Sequence, residues 1–233
     1  MRFPLILHIA WASTALPVLA GLWGGWRSSP SRTAVWVWAL LLVLANALAL
    51  LLASRGVNNH WLIYLSTPLI GVTVIAALSG WQVRERGRLV LRILRPLYLV
   101  AWTVIVFAVE DINTFSLVAG PFSAFVLLSA VSATFVARSM HSVHPLTKQD
   151  WFWVSIGLLI FYGIETGYPP VALLLGRSRP DLLLAALEAR SAVIIAAMIT
   201  VSWGLLCPTT LPQSGGSSSR SASPSLSSPS PLG

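Results

Sequence analysis

Apolar residues run along this chain in long unbroken stretches separated by short polar ones, with neither the alternation of a strand nor the one-sided stripe of a soluble helix. Seven stretches can be marked, at 5–25, 33–53, 61–80, 89–109, 115–137, 151–168 and 183–206. A helix needs about 20 apolar residues to cross a bilayer. The pattern therefore predicts an all-α fold, a bundle of seven transmembrane helices within residues 1–211. The fourth stretch is the least regular. Arg92 and Arg95 interrupt its start, and Pro96 bends or begins the helix there. Both arginines lie within about two turns of the end, from where long side chains snorkel to the headgroups.

Proline and glycine mark further breaks. Pro68 and Gly71 fall in the third stretch and Gly120–Pro121 in the fifth, where each is expected to kink its helix. The small residues Gly120, Ala124, Ser129, Ser132 and Ala133 suit close packing of the fifth helix. The first stretch follows Arg2 as a signal peptide would, but no Ala-x-Ala site follows it, so a retained helix is expected. After Leu211 the composition changes, with seventeen of the 22 residues at 212–233 being Ser, Pro or Gly. Such a segment buries too little apolar area to order itself, and a disordered cytoplasmic tail is expected.

Composition agrees: 56% of residues are apolar and 9% charged, with a mean hydropathy of +0.78. A soluble domain carries about 25% charged residues, so a water-soluble fold is excluded. The net charge is +8, and fourteen of the fifteen cations are arginine. In a soluble protein this would suggest nucleic acid. Here the cations sit between apolar spans, so they read as topology signals and no nucleic-acid partner is expected. One side of the bundle carries five, Arg2, Arg55, Arg177, Arg179 and Arg190, and the other carries the remaining ten. The positive-inside rule then puts the N-terminus outside and the C-terminus in the cytoplasm, in a bacterial plasma membrane. Eight of the eleven tryptophans, Trp38, Trp81, Trp151 and Trp203 among them, fall near the cytoplasmic ends and read as an interfacial belt.

Ionisable groups inside apolar spans are costly and so direct attention to function. Glu165 lies about 21 Å along its helix from the cytoplasmic end, and Arg190, at similar depth on the next span, is its natural partner. Glu110, Asp111, Asn58, Asn59, His60, Asn46, His8 and Glu188 fall on the same outer side. One reading gathers Glu165, Arg190, His60, Glu110, Asp111 and Asn46 around an outward cavity. The plainer reading leaves Glu110, Asp111, Asn58, Asn59 and His60 as wet interfacial residues. A zinc site from His8, His60, Glu110, Asp111 and Glu165 lacks any His pair four apart and any His-Glu-x-x-His run, so neither metal nor other cofactor is expected.

Arg84, Arg88, Arg92 and Arg95 share a helical sector of about 80°. That stripe would meet anionic headgroups or a cytoplasmic partner. His141 and His144 read as solvated loop, and Cys207 as a small interfacial residue, with palmitoylation the lesser alternative. Retinal is dismissed, since the single lysine, Lys148, lies in a loop. Three functions remain in order: a receptor-like or accessory protein binding a small ligand, lipid or partner; a carboxylate-dependent proton or solute transporter; an intramembrane metal hydrolase.

The run Leu16-Pro17-Val18-Leu19-Ala20-Gly21-Leu22, followed by Asn58-Asn59-His60-Trp61, Tyr64 and Thr67-Pro68, resembles a family of uncharacterised bacterial seven-helix membrane proteins. There a proline-containing first helix precedes an Asn-rich start to the third helix. The likeness covers the first third of the chain and implies an architecture without an activity.

Overall fold

The computed structural model describes residues 5–114, 116–142 and 145–208, and for Arg177, Pro180 and Asp181 the backbone only. His144 and the tail at 212–233 lie outside the described residues. Eight α-helices follow one another: α1 (Leu5–Ser13), α2 (Leu16–Gly24), α3 (Pro30–Ser54), α4 (His60–Trp81), α5 (Glu85–Val109), α6 (Ala119–Ser139), α7 (Asp150–Ser178) and α8 (Pro180–Leu206). With α1 and α2 taken as one broken rod, seven helices are long and apolar enough to cross a membrane. No strand occurs among the described residues. The architecture is that of an all-α multi-pass membrane protein.

Four elements depart from the apolar pattern. The first stretch is two helices of nine residues. Pro17 has no N–H to give the Ser13 carbonyl, and the Ser13 and Thr14 hydroxyls turn back onto the carbonyls of Ala10 (2.7 Å) and Trp11 (2.6 Å). Gly120–Pro121 does not kink α6, because the helix starts at Ala119 and the proline falls in the first turn, where its missing N–H costs nothing. Pro96 neither begins α5 nor ends it, since that helix is continuous from Glu85 and carries the proline in its interior. α7 likewise continues through Pro169 and Pro170 to Ser178, ten residues beyond the apolar stretch.

Packing is uneven along the bundle. The buried residues of α3 are Ser31, Arg32, Val35, Trp38 and Ala39, all in its first ten positions. Those of α7 end at Tyr162 and those of α8 begin at Ser191, among the described residues. The half of the bundle near Arg84 and Asp150 is therefore the main core. In the half near Asn58, α3, α7 and α8 bury none of their described side chains, while α4, α5 and α6 stay packed through Tyr64, Trp102, Val106 and Ala119. Small residues allow the close approach: a Cβ at Gly204 would lie 2.8 Å from the Val154 nitrogen, and one at Gly157 2.9 Å from the Ala197 carbonyl. At the turn after α2, Gly25 takes φ +76°, a conformation that suits glycine.

Charge helps to seal this end. Arg32, 2% exposed, donates to the carbonyls of Leu205 and Cys207 and to the Ser28 hydroxyl, and its Nε lies 3.7 Å from Asp150 Oδ2. Arg138 donates to the Trp81 carbonyl at 2.5 Å and lies 5.0 Å above the Trp151 ring. These two arginines serve the protein rather than the headgroups. The tryptophan belt needs the same correction. Trp38, Trp81 and Trp151 are buried in the core, whereas Trp23 and Trp203 are exposed as a belt requires. Cys207 is half-buried beyond the end of α8, and burial together with the Asp150 carboxylate pushes its thiol pKa up.

Gly204→Leu drives a side chain into backbone that cannot yield, and overpacking of this kind costs about 1–3 kcal/mol. The variant is expected to melt at a lower temperature in detergent than wild type. Gly163→Ala, where a Cβ meets nothing within 4 Å, should melt no lower than wild type.

Candidate functional site

Where the core stops, polar side chains begin at a common depth. Asn46, Ser66, Ser123, Glu165 and Arg190 stand 16, 15, 16, 15 and 16 residues from Pro30, Trp81, Ser139, Asp150 and Leu206, the ends of their helices in the core half. At a rise of about 1.5 Å per residue these positions lie about 22–24 Å along five different helices. They form one polar layer across the bundle. Beneath it Trp38 and Tyr162 make a floor, the indole N–H donating to the phenolic oxygen at 3.1 Å with Phe161 edge-on to Trp38.

Above the floor is a cavity of about 730 Å³ between α3, α4, α6, α7 and α8. Its wall mixes the polar layer with leucines from every side, including Leu42, Leu62, Leu173, Leu183 and Leu187. Arg190 Nη2 donates to Glu165 Oε1 at 2.5 Å, so the pair expected from the sequence forms. The two side chains are 26% and 24% exposed, and the guanidinium lies 4.9 Å over the Tyr168 ring. Pro169 leaves the Glu165 carbonyl without its helical donor, which adds an acceptor beside the pair.

Much of the wall's hydrogen-bonding capacity is unused. Among the described residues Asn46, the Ser66 hydroxyl and the Tyr168 hydroxyl have no hydrogen-bond partner, and Arg190 Nε is buried without one. Tyr162 accepts from Trp38 but has no acceptor for its own hydrogen. An empty polar site inside a membrane protein is costly unless water or a ligand fills it.

Of the six residues expected around an outward cavity, Glu165, Arg190 and Asn46 line it and His60, Glu110 and Asp111 do not. Glu110 caps α6: its Oε1 accepts from the backbone nitrogens of Val118 (2.6 Å) and Ala119 (3.2 Å), and its Oε2 from the Ser116 hydroxyl (3.0 Å). The negative carboxylate suits the positive end of the helix. Asp111 folds its own turn, Oδ1 accepting from the Asn113 backbone at 2.9 Å. Asn58 receives the His60 backbone N–H at 3.0 Å and donates to the Asn113 carbonyl. Asn59 reaches the cavity rim while donating to the Ala49 carbonyl at 2.9 Å. His8 stacks edge-on to Trp11 on α1, which supplies nothing to the wall. No three side chains that could hold a metal gather among the described residues.

The basic stripe divides. Arg84 stands just before α5 and donates to His141 Nε2 at 3.1 Å, while His141 Nδ1 is 2.7 Å from the Ala137 carbonyl. Arg88 and Arg92 flank the exposed Glu85 at 3.2 and 3.8 Å. Arg95 turns inward and donates to the Ser79 hydroxyl of α4, so it leaves the stripe. Glu85 and the residues Ser66, Tyr162 and Tyr168 were not singled out from the sequence. For Ser66 a signal existed, because counting from each span's end places it at the depth of Glu165.

The ion pair makes an asymmetric prediction. Removing one partner leaves the other uncompensated, which for a fully buried pair costs about 3–5 kcal/mol; a pair one-quarter exposed should lose less. Glu165→Gln and Arg190→Gln should each lower the melting temperature more than the double variant does. Additive losses would contradict a direct interaction. No protein-family model, curated protein or solved structure matches the chain.

Proposed function

We propose that the chain is a receptor-like or accessory protein of the bacterial plasma membrane, with its N-terminus outside, and that it binds a small ligand in the cavity beneath Asn59. The observation that carries this reading is the polar layer itself. Five helices bring hydrogen-bonding groups to one level around about 730 Å³ of space, and several have no partner in the protein. Volumes of about 300–1,000 Å³ are usual for small-molecule sites. Arg84, Arg88 and Arg92, at the opposite end of the bundle, remain available to anionic headgroups.

Binding is favoured over transport by two features. Glu165 is held by Arg190 at 2.5 Å, so the described wall offers no unpaired carboxylate to a travelling cation. The Trp38–Tyr162 floor and the close-packed half below it close the path to the other side. A resident ligand is therefore expected to travel with the protein.

Gentle purification of the full chain, organic extraction and mass spectrometry test this directly, with Ala45→Trp as the comparison because Ala45 lies in the wall. Wild type should yield a compound near one equivalent that the variant, with its folded yield retained, lacks. Identical extracts from the two proteins would contradict the proposal.

A further inference from the structure

We infer that the cavity takes an uncharged, single-chain amphiphile with a hydroxyl- or amide-bearing head, and that this ligand enters sideways from the bilayer between α3 and α8. The inference rests on the cavity being a binding site and goes on to name what fits it and by which route.

Charge sets the head. Among the described residues the charged side chains of the wall are Glu165 and Arg190, and they neutralise each other at 2.5 Å. A net charge on the ligand would gain no free counter-ion and would lose its hydration. What the wall offers instead is neutral: the Asn46 amide and the hydroxyls of Ser66, Tyr162 and Tyr168. Three of these four have no partner among the described residues, and the fourth keeps a free hydrogen. A head that both donates and accepts satisfies them all.

Apolar surface sets the body. Outward from the polar layer the wall is mainly apolar, with Ala49 on α3, Ile63 on α4, Leu173 on α7 and Leu183 and Leu187 on α8, while Asn59 and Ser116 there already have partners. A hydrocarbon chain fills that space without leaving polar atoms bare, whereas a compact polar solute would leave it wet.

Packing sets the route. α3 packs closely on α4 and α2, and has no comparable packing with α1, α7 or α8. α2 covers it only in the core half, because α1, the other part of that rod, packs on α8 and adds no residue to the wall. Among the described residues no helix that packs on both α3 and α8 in this half adds a residue to the wall, so the mouth is placed between Ala49 on α3 and Leu187 on α8. The outer half of α3 beside this gap bears Leu44, Leu48 and Leu51, 55%, 39% and 47% exposed, as a lipid-facing surface does. The mouth therefore meets hydrocarbon, where an amphiphile is already concentrated.

The test measures binding of radiolabelled 1-monooleoylglycerol to the full chain in detergent, with glycerol, oleate and oleylamine as competitors. The inference expects saturable binding near one equivalent, no competition by glycerol, and weaker competition by oleate or oleylamine than by unlabelled monooleoylglycerol. Asn46→Leu combined with Ser66→Ala removes two neutral head contacts and should weaken binding about tenfold, about 1.4 kcal/mol. Folded yield is read alongside, and the competition series on wild type needs no variant. Preferential binding of either charged amphiphile, or displacement by glycerol alone, would overturn the inference. If monooleoylglycerol fails while extraction still finds a compound that Ala45→Trp lacks, the binding site stands and this ligand class falls. If both fail, both readings fall.

Discussion

Inside hydrocarbon a helix end or a charged side chain must find its partner within the protein, and Arg32 meets that demand for a whole end of the bundle. Its guanidinium takes up carbonyls left bare at the end of α8, reaches Ser28, and stands beside Asp150 at the start of α7. Three spans are tied there by one side chain. Close backbone contacts at Gly157 and Gly204 then let α7 and α8 run together, with Trp38, Trp151 and Met198 filling the centre. Toward the other end α3 keeps its packing on α4 but buries no side chain after Ala39 and diverges from α7 and α8, which stay paired up to Arg179. The cavity is the consequence of that divergence.

Divergence alone would leave an apolar crevice for lipid tails. What makes it a site is the level at which polar residues were placed. Asn46, Ser66, Ser123, Glu165 and Arg190 sit where the packing ceases, on five helices. The Trp38–Tyr162 bond beneath them gives the layer a rigid base, and the Tyr168 ring holds the guanidinium from the side. The ion pair thereby couples structure and recognition: it joins α7 to α8 and leaves the wall electrically neutral.

The sequence carried the helices plainly, because a run of about 20 apolar residues permits little else. It also carried the Glu165–Arg190 pair, since two ionisable groups at one depth on successive spans have few other partners. It did not show which face of a span looks inward, as spans apolar all round hold no amphipathic stripe. For that reason Trp38 and Trp151 resembled belt residues, and Arg32 and Arg138 resembled loop cations, until packing revealed them inside. Glu110 and Asp111 misled for a different reason. Their partners are backbone nitrogens, which every sequence possesses and none displays. The break after Ser13 was concealed likewise, for Pro17 alone does not say whether a helix bends or stops.

The central claim is a bundle closed at one end and open at the other, and cysteine accessibility tests it most directly. In a Cys207→Ser background, single cysteines at Ala49 or Ala172 in the cavity, Ala39 or Ala197 in the core, and Leu44 on the lipid face are treated with N-ethylmaleimide. Thiolate forms only where water reaches the sulfur. In protein stripped of any resident amphiphile, the account predicts labelling at Ala49 and Ala172, slowed when monooleoylglycerol or Ala45→Trp fills the cavity, and no labelling at Ala39, Ala197 or Leu44. Labelling at Ala39 as fast as at Ala49, or protection of Ala49 and Ala172 in the stripped protein, would contradict it.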